Sequence, residues 1–253
     1  MEAWAMGETV TARDDLAAAL RVAAAMGLNE GICNHFSVAL NGEDERYLIN
    51  PYGVHWSEMH PDHLLLIDGA GTVIEGDGEV EATARFIHVA AHRANPRHVC
   101  VLHTHMPYAT ALTMVDGGHL AMAHQTATRF HGRMAYVPFG GLALDEAEGE
   151  AIAEGAKQNA HADIFFLDHH GVTIGGGSVA EAFDDLYYLE RAARQQVLAQ
   201  STGLPLKIMT DEQVEHTARQ GRQGREVQAK EHFMALKRLH PAPANVVTPA
   251  VLG

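Results

Sequence analysis

Two periods alternate along this chain, and each marks a different kind of element. Residues 11–26 place Leu16, Ala17, Leu20, Val22 and Ala23 at helical spacing and stop at Gly27, a residue suited to a left-handed helix C-cap. Short apolar runs at 36–40 and 46–49 flank Asn41-Gly42-Glu43-Asp44-Glu45, which reads as a hairpin loop, and Asn50-Pro51-Tyr52-Gly53 supplies a closing turn. A further run at 64–67 turns at Asp68-Gly69-Ala70-Gly71 into a partner at 72–74. The helical period returns at 81–94, with Phe86, Val89 and Ala90 on one face and Pro96 as the stop. A strand ending in histidines at 99–105 precedes a helix opened by Pro107 and carrying Ala109, Ala111, Leu112 and Met114. Residues 119–134 show neither period, and Gly140-Gly141 marks a loop. Residues 145–157 read as helix, 164–167 as strand and Gly175-Gly176-Gly177 as turn. Ser178 and Glu181 form a capping box at the head of a helix that reaches Gln200.

This order predicts an N-terminal extension at 1–10, a single α/β unit at 11–202 and a polar tail at 203–253. The tail is partly helical, interrupted at Gly221 and Gly224, and is expected to cover a neighbouring subunit. Hairpin-linked strands imply antiparallel pairing with helices packed on the sheet. With 47% hydrophobic and 20% charged residues among 253, the chain can bury a large core and is not a disordered sequence. No apolar run reaches the length of a membrane span, and the first residues carry no basic segment followed by an apolar core, so a cytoplasmic location is expected. A formal charge of −14 argues against a nucleic-acid partner. Cys33 and Cys100 provide neither a disulfide framework nor a thiolate zinc site.

Eighteen histidines make imidazole the chemistry to follow. On a strand, residues i and i+2 share a face, so His103 and His105 would project side by side and occupy two corners of a divalent metal's coordination shell. The natural third donor is Asp168-His169-His170-Gly171, at the end of the strand 164–167. His88 and His92, one helical turn apart, read as structural support behind such a site rather than as a second metal pair. Arg129 and Arg133 have the chemistry of carboxylate clamps but read equally as salt-bridge residues, and His131 as a loop or substrate contact.

The chain resembles the class II aldolase/adducin-like proteins over residues 10–202. The resemblance is carried by Gly31-Ile32-Cys33-Asn34-His35-Phe36-Ser37, Asn50-Pro51-Tyr52-Gly53, the helix of His88 ending at Asn95-Pro96, His103-Thr104-His105, and His169-His170-Gly171 before a long helix. It implies a three-layer α/β/α sandwich around a mostly antiparallel sheet, assembled as a homotetramer with active sites between subunits. It also implies a divalent metal, Zn2+ before Mn2+ or Co2+, held by His103, His105 and His170. Asn34 falls in the loop that contacts substrate, and His124 falls where the family's aldolases carry a proton-donating tyrosine.

Two departures narrow the activity. Ala84 stands where the sugar-phosphate aldolases of the family carry their acid/base carboxylate, with Glu81 one turn earlier. The phosphate-binding positions are also poorly matched, which argues against a phosphorylated sugar, and the segments Asn50-Pro51-Tyr52-Gly53, Arg129-Phe130-His131-Gly132-Arg133 and Tyr187-Tyr188-Leu189-Glu190-Arg191 resemble the adducin-type branch. The expectation is a metal-dependent lyase cleaving a carbon–carbon bond in a small, non-phosphorylated oxygenated carboxylate, with decarboxylation preferred over aldol cleavage. The alternative is a catalytically silent adducin-like scaffold.

Overall fold

The computed structural model describes residues 3–40, 44–141 and 147–244. In chain order it contains α1 (Ala3–Ala25), β1 (His35–Ala39), β2 (Arg46–Ile49), β3 (Leu65–Asp68), β4 (Val73–Glu75), α2 (Ala82–Ala94), β5 (Cys100–Thr104) and α3 (Pro107–Thr113). There follow β6 (Met134–Val137), α4 (Ala147–Gln158), β7 (Ile164–Leu167), β8 (Gly171–Gly176), α5 (Val179–Gln200), α6 (Asp211–Gly221) and α7 (Arg225–Leu239). The strands form one sheet in the order β4-β3-β2-β1-β5-β8-β7-β6, antiparallel at every described pair except β6–β7.

Strand alternation divides the core into two layers. Phe36, Val38, Leu48, Leu66, Leu102, Phe166, Val172 and Ile174 point to the side covered by α1, α3 and α5. Val101, Phe165 and Leu167 meet Ile87 of α2 and Ile152 of α4 on the other side, and Tyr47, Ile49, Leu65 and Ile67 meet Ala84 and Val89 there. The expected three-layer α/β/α sandwich around a mostly antiparallel sheet is therefore the fold observed. Gly27 closes α1 at φ 68°, and the Leu28 N–H reaches the Ala23 carbonyl at 3.0 Å, as a left-handed helix terminus requires.

Several boundaries differ from the expectation. The helix predicted at 11–26 begins at Ala3, so residues 3–10 belong to α1 rather than to a separate extension. The stretch 119–134 holds a short 3-10 helix (Gln125–Phe130) and the start of β6. Gly175 and Gly176, read as turn, are the end of β8, which the apolar pattern did not announce. Residues 41–43 of the expected hairpin loop, and 145 and 146 at the head of the helix expected at 145–157, lie outside the described residues.

The tail folds back on its own chain. Phe233 and Ala229 of α7 are buried, with Phe233 facing Phe183 of α5 at 5.7 Å between ring centres. Charged groups fix this docking: Arg225 and Arg133 meet Asp185, Arg129 and His232 meet Asp184, and Lys237 lies 2.6 Å from both Asp14 and Asp15. Both α5 carboxylates are fully buried, so these pairs hold charges that would otherwise be expensive to keep there.

Candidate metal centre

The site forms where β5 and β8 end side by side. His103 is the penultimate residue of β5, and His105 follows just beyond the strand. The β7–β8 turn brings His170 opposite them, with His169 in the left-handed region at φ 56°. Gly171 permits this approach, because a Cβ there would lie 2.7 Å from the His105 ring and 2.8 Å from the Thr104 carbonyl. The three imidazole centres stand 5.1, 4.8 and 4.7 Å apart, and one nitrogen from each lies within 4.8 Å of the others. His170 is thus the residue placed with His103 and His105, whereas His169 turns its ring toward Phe139 at 5.9 Å.

Hydrogen bonds select the tautomers that a metal needs. Nδ1 of His103 lies 3.1 Å from the Val172 carbonyl, and Nδ1 of His105 meets the Glu30 carboxylate. A carbonyl and a carboxylate only accept, so both Nδ1 atoms carry the proton and both Nε2 atoms keep their lone pairs. Burial and the neighbouring histidines push His103 well below the usual histidine range, which keeps it a neutral donor. Three imidazoles on this geometry fit a divalent cation with an open coordination position.

Asn34 is buried in the cavity wall at φ 73°, a conformation asparagine tolerates better than most residues. Its carbonyl accepts from Asn50 Nδ2 at 3.3 Å, and its Oδ1 accepts from the His105 N–H at 3.3 Å. The sequence placed Asn34 near substrate, and it does line the cavity, where it also steadies a histidine of the triad. The cavity holds about 540 Å³ and is further lined by Glu81, Thr83, Thr110 and Phe139. The Thr110 hydroxyl is buried and has no hydrogen-bond partner among the described residues. No lysine or arginine lines the cavity among the described residues.

Behind the triad runs a chain of buried side chains of which sequence reading foresaw only His88 and His92. His35 stacks on His103 at 4.9 Å, a consequence of the β1–β5 register that pairs the two residues. Nδ1 of His35 contacts Nε2 of His88 at 2.8 Å, Nδ1 of His88 contacts the Ser37 hydroxyl, and Ser37 contacts Nε2 of His92 at 2.8 Å. Nδ1 of His92 ends the chain on the His98 carbonyl at 2.8 Å. His88 and His92 are therefore support, as expected, and their spacing of one helical turn was the signal that pointed inward. Burial lowers His92 to about 4 and holds His88 well below the usual histidine range, so both rings are neutral.

The remaining candidates lie elsewhere. His124 is exposed and caps the 3-10 helix, its Nδ1 accepting from the Thr126 N–H at 3.1 Å, and it does not line the cavity of its own chain. His131 meets Glu215 of α6 at 2.9 Å. Arg129 and Arg133 are spent on the α5 carboxylates, with Arg133 also 2.6 Å from Asp163. Ala84 is buried among Tyr47, Ile49, Leu65, Ile67 and Val89, in an apolar cluster rather than on the cavity wall.

A sandwich of this strand order with three histidines gathered beside β5 and β8 defines a class of single-sheet α/β proteins with a candidate metal centre. The chain belongs to the class II aldolase and adducin N-terminal domain family, whose model matches residues 14–197. An adducin-related protein of Schizosaccharomyces pombe is 32% identical over 204 residues, covering 78% of this chain, which in turn spans only 61% of that relative. Among solved structures, an aldolase II superfamily protein from Pseudomonas syringae is 32% identical with a TM-score of 0.83, covering 91% of this chain and 92% of its own. An L-fuculose 1-phosphate aldolase from Glaciozyma antarctica is 25% identical with a TM-score of 0.82, covering 94% and 93%. No helix among the described residues is long and apolar enough to cross a membrane.

Proposed function

We propose that this protein is a divalent-metal-dependent carbon–carbon lyase acting on a small, non-phosphorylated oxygenated carboxylate, and that decarboxylation is its reaction in preference to aldol cleavage. The observation that carries the reading is the cluster of His103, His105 and His170, with the tautomers of His103 and His105 set by their Nδ1 partners, in a cavity with no cationic side chain among the described residues. A phosphate group would need a cluster of donors or positive charge to hold it, which the described walls do not supply. Zn2+ suits an all-imidazole set best, with Mn2+ or Co2+ as substitutes. Such a cation, when bound, withdraws charge from a carbonyl and hydroxyl chelated on it.

The chain's own groups do the rest. Glu30 and the Val172 carbonyl hold two ligand rings in orientation, and Asn34 and Thr110 present an amide and a hydroxyl to substrate oxygens. Loss of CO2 breaks a carbon–carbon bond and leaves its electron pair behind, so the forward step needs no base and is compatible with Ala84. A proton must then return to carbon. His124, outside its own cavity, would have to deliver it across a subunit boundary in a homotetramer. The direct experiment is metal analysis followed by a screen of small hydroxy- and keto-carboxylates for CO2 and aldehyde release by the metal-loaded protein. Release of CO2 from one of them, abolished by His170→Ala, supports the reading. A protein that loads metal and turns over none of them supports the catalytically silent, adducin-like alternative.

A further inference from the structure

A second cavity, of about 430 Å³, lies on the face of the sheet covered by α1, α3 and α5, apart from the histidine triad. Its origin is the spacing along α5. Tyr187, Glu190, Arg191, Arg194, Gln195 and Leu198 recur at intervals that place them on one stripe of that helix. The stripe meets Leu28 just past the end of α1 and Pro107 and Tyr108 at the start of α3, so the remaining walls are apolar and aromatic.

The polar groups here lack partners in a way that the rest of α5 does not. Arg191 lies over the Tyr187 ring at 5.7 Å and Arg194 over the Tyr108 ring at 5.4 Å. Among the described residues neither guanidinium has a hydrogen bond or an ion pair, whereas Arg129, Arg133 and Arg225 are each held by an α5 carboxylate. The Gln195 amide oxygen is buried without a hydrogen-bond partner. Gln196 beside it accepts from the Ala121 N–H at 2.7 Å and donates to the His119 carbonyl at 2.9 Å. Glu190 engages its two oxygens with the N–H groups of Tyr108 and Ala109, both at 2.9 Å. Two guanidiniums against one carboxylate leave a single positive charge, on a chain whose formal charge is −14. These features specify an occupant: one negative charge for the arginines, an apolar body for Leu28 and Pro107, and an N–H or O–H for Gln195.

The same cavity borders the segments that hold the triad. Pro107 follows His105 by two residues, and Leu28 precedes Glu30 by two. The Leu28 carbonyl accepts from the Thr104 hydroxyl, and Glu30 accepts from Nδ1 of His105. A molecule held between Leu28, Pro107 and α5 therefore restrains both the segment that carries His105 and the one that carries its carboxylate partner. We propose that this cavity is an effector site for a small organic monoanion, a carboxylate with an apolar body and a hydrogen-bond donor, and that its occupation tightens the metal centre. Such coupling is reciprocal: the factor by which the anion raises zinc affinity is the factor by which zinc raises anion affinity. The readouts are binding constants, so the proposal stands or falls apart from the lyase reading.

The probe is 4-hydroxyphenylacetate, titrated calorimetrically into zinc-loaded and zinc-free protein, and saturable binding of one molecule per chain is expected. 4-Hydroxyphenylacetamide, without the charge, should not saturate, and phenylacetate, without the donor, should bind about fivefold more weakly. Arg191→Gln and Arg194→Gln alter exposed side chains and should each weaken the probe about tenfold or more at unchanged zinc content. Gln195→Leu should erase the difference between the probe and phenylacetate. Against a competing chelator, saturating probe should raise zinc affinity about fivefold or more in the parent protein and not in the double arginine variant. Absence of saturable binding to the parent, or parental affinity in the double variant, overturns the site. Equal probe affinity with and without zinc overturns the effector role, and zinc tightening that persists in the double variant places the probe on the metal instead. A double variant that dissociates into smaller species also overturns the proposal, because the arginines then belong to a contact between copies of the chain.

Discussion

Ala84→Glu returns a carboxylate to the position where the family's sugar-phosphate aldolases carry one, and the fold says it will not act as one. Ala84 is 1% exposed and packs among Tyr47, Ile49, Leu65, Ile67 and Val89. Forcing a longer side chain into that cluster costs about 1–3 kcal/mol in displaced neighbours. Leaving its carboxyl without hydrogen-bond partners adds about 1–3 kcal/mol even when it is protonated. The sum, about 2–6 kcal/mol, is a large share of the roughly 5–15 kcal/mol that stabilises a typical domain. At about 2–4 °C per kcal/mol for a chain near this size, the melting temperature should fall by about 5–20 °C.

The pH dependence adds a second check. Apolar burial raises the folded-state pKa of the introduced carboxyl above its unfolded value of about 4.3, so the native state binds the extra proton. The stability deficit should therefore be smallest below about pH 4.3 and grow as pH rises from there through the folded-state pKa. Thermal unfolding by circular dichroism at several pH values, with zinc content measured in parallel, gives both readouts. A variant that melts with the parent protein and binds zinc more tightly, or turns over faster, would refute the placement of Ala84.

Other expectations follow from the same geometry. His103→Ala and His170→Ala should each lower metal occupancy sharply in elemental analysis, since each removes one of three ligands, and full retention in both would exclude the triad. Burial pushes Asp163 up, but His98, Arg133 and Arg97 outweigh it and hold the carboxyl at about 2. Its contribution is present above the unfolded pKa of about 3.9 and is lost as pH falls toward 2, so Asp163→Asn should flatten acid unfolding in that window by about 2–3 kcal/mol. His124→Phe should lower turnover by about 100-fold or more while leaving substrate binding unchanged, as loss of a proton donor reaching a neighbour's cavity would, and turnover at the parental rate would remove His124 from the reaction. Light scattering should report a homotetramer; a monomer at micromolar concentration would also exclude any cross-subunit role.

The parts of this molecule that were legible in its sequence are those in which one residue type has one use. Short apolar runs at β5 and β7 located the strands, and His103 with His105 at one strand end located the centre. β8 was not legible, because glycine runs read as turns. Here they serve close packing: a Cβ on Gly175 would lie 2.2 Å from the His98 ring, and one on Gly176 would lie 2.7 Å from the Ala182 nitrogen. Glu81 was visible only as a carboxylate at the wrong spacing. Its reach into the cavity depends on its being the α2 cap, which periodicity alone does not place. The roles of Arg129 and Arg133 were hidden for a different reason, since their partners Asp184 and Asp185 lie more than fifty residues on. The helices of the tail were obscured by polarity, as α6 and α7 each bury only two residues fully.

The docking of α7 has a consequence for how the chain is made. Lys237 binds Asp15 across 222 positions, and Arg21 reaches the carbonyl of His240 across 219. At about 5–20 residues per second of synthesis, α1 leaves the ribosome roughly 10–45 s before the helix that completes its surroundings exists. Until residues 179–200 have been made the face of α1 bearing Leu16 and Leu20 lacks α5, and for the remaining synthesis it still lacks α7. The N-terminal helix is therefore held without its final partners for most of synthesis, and its apolar face is exposed to other chains for that time.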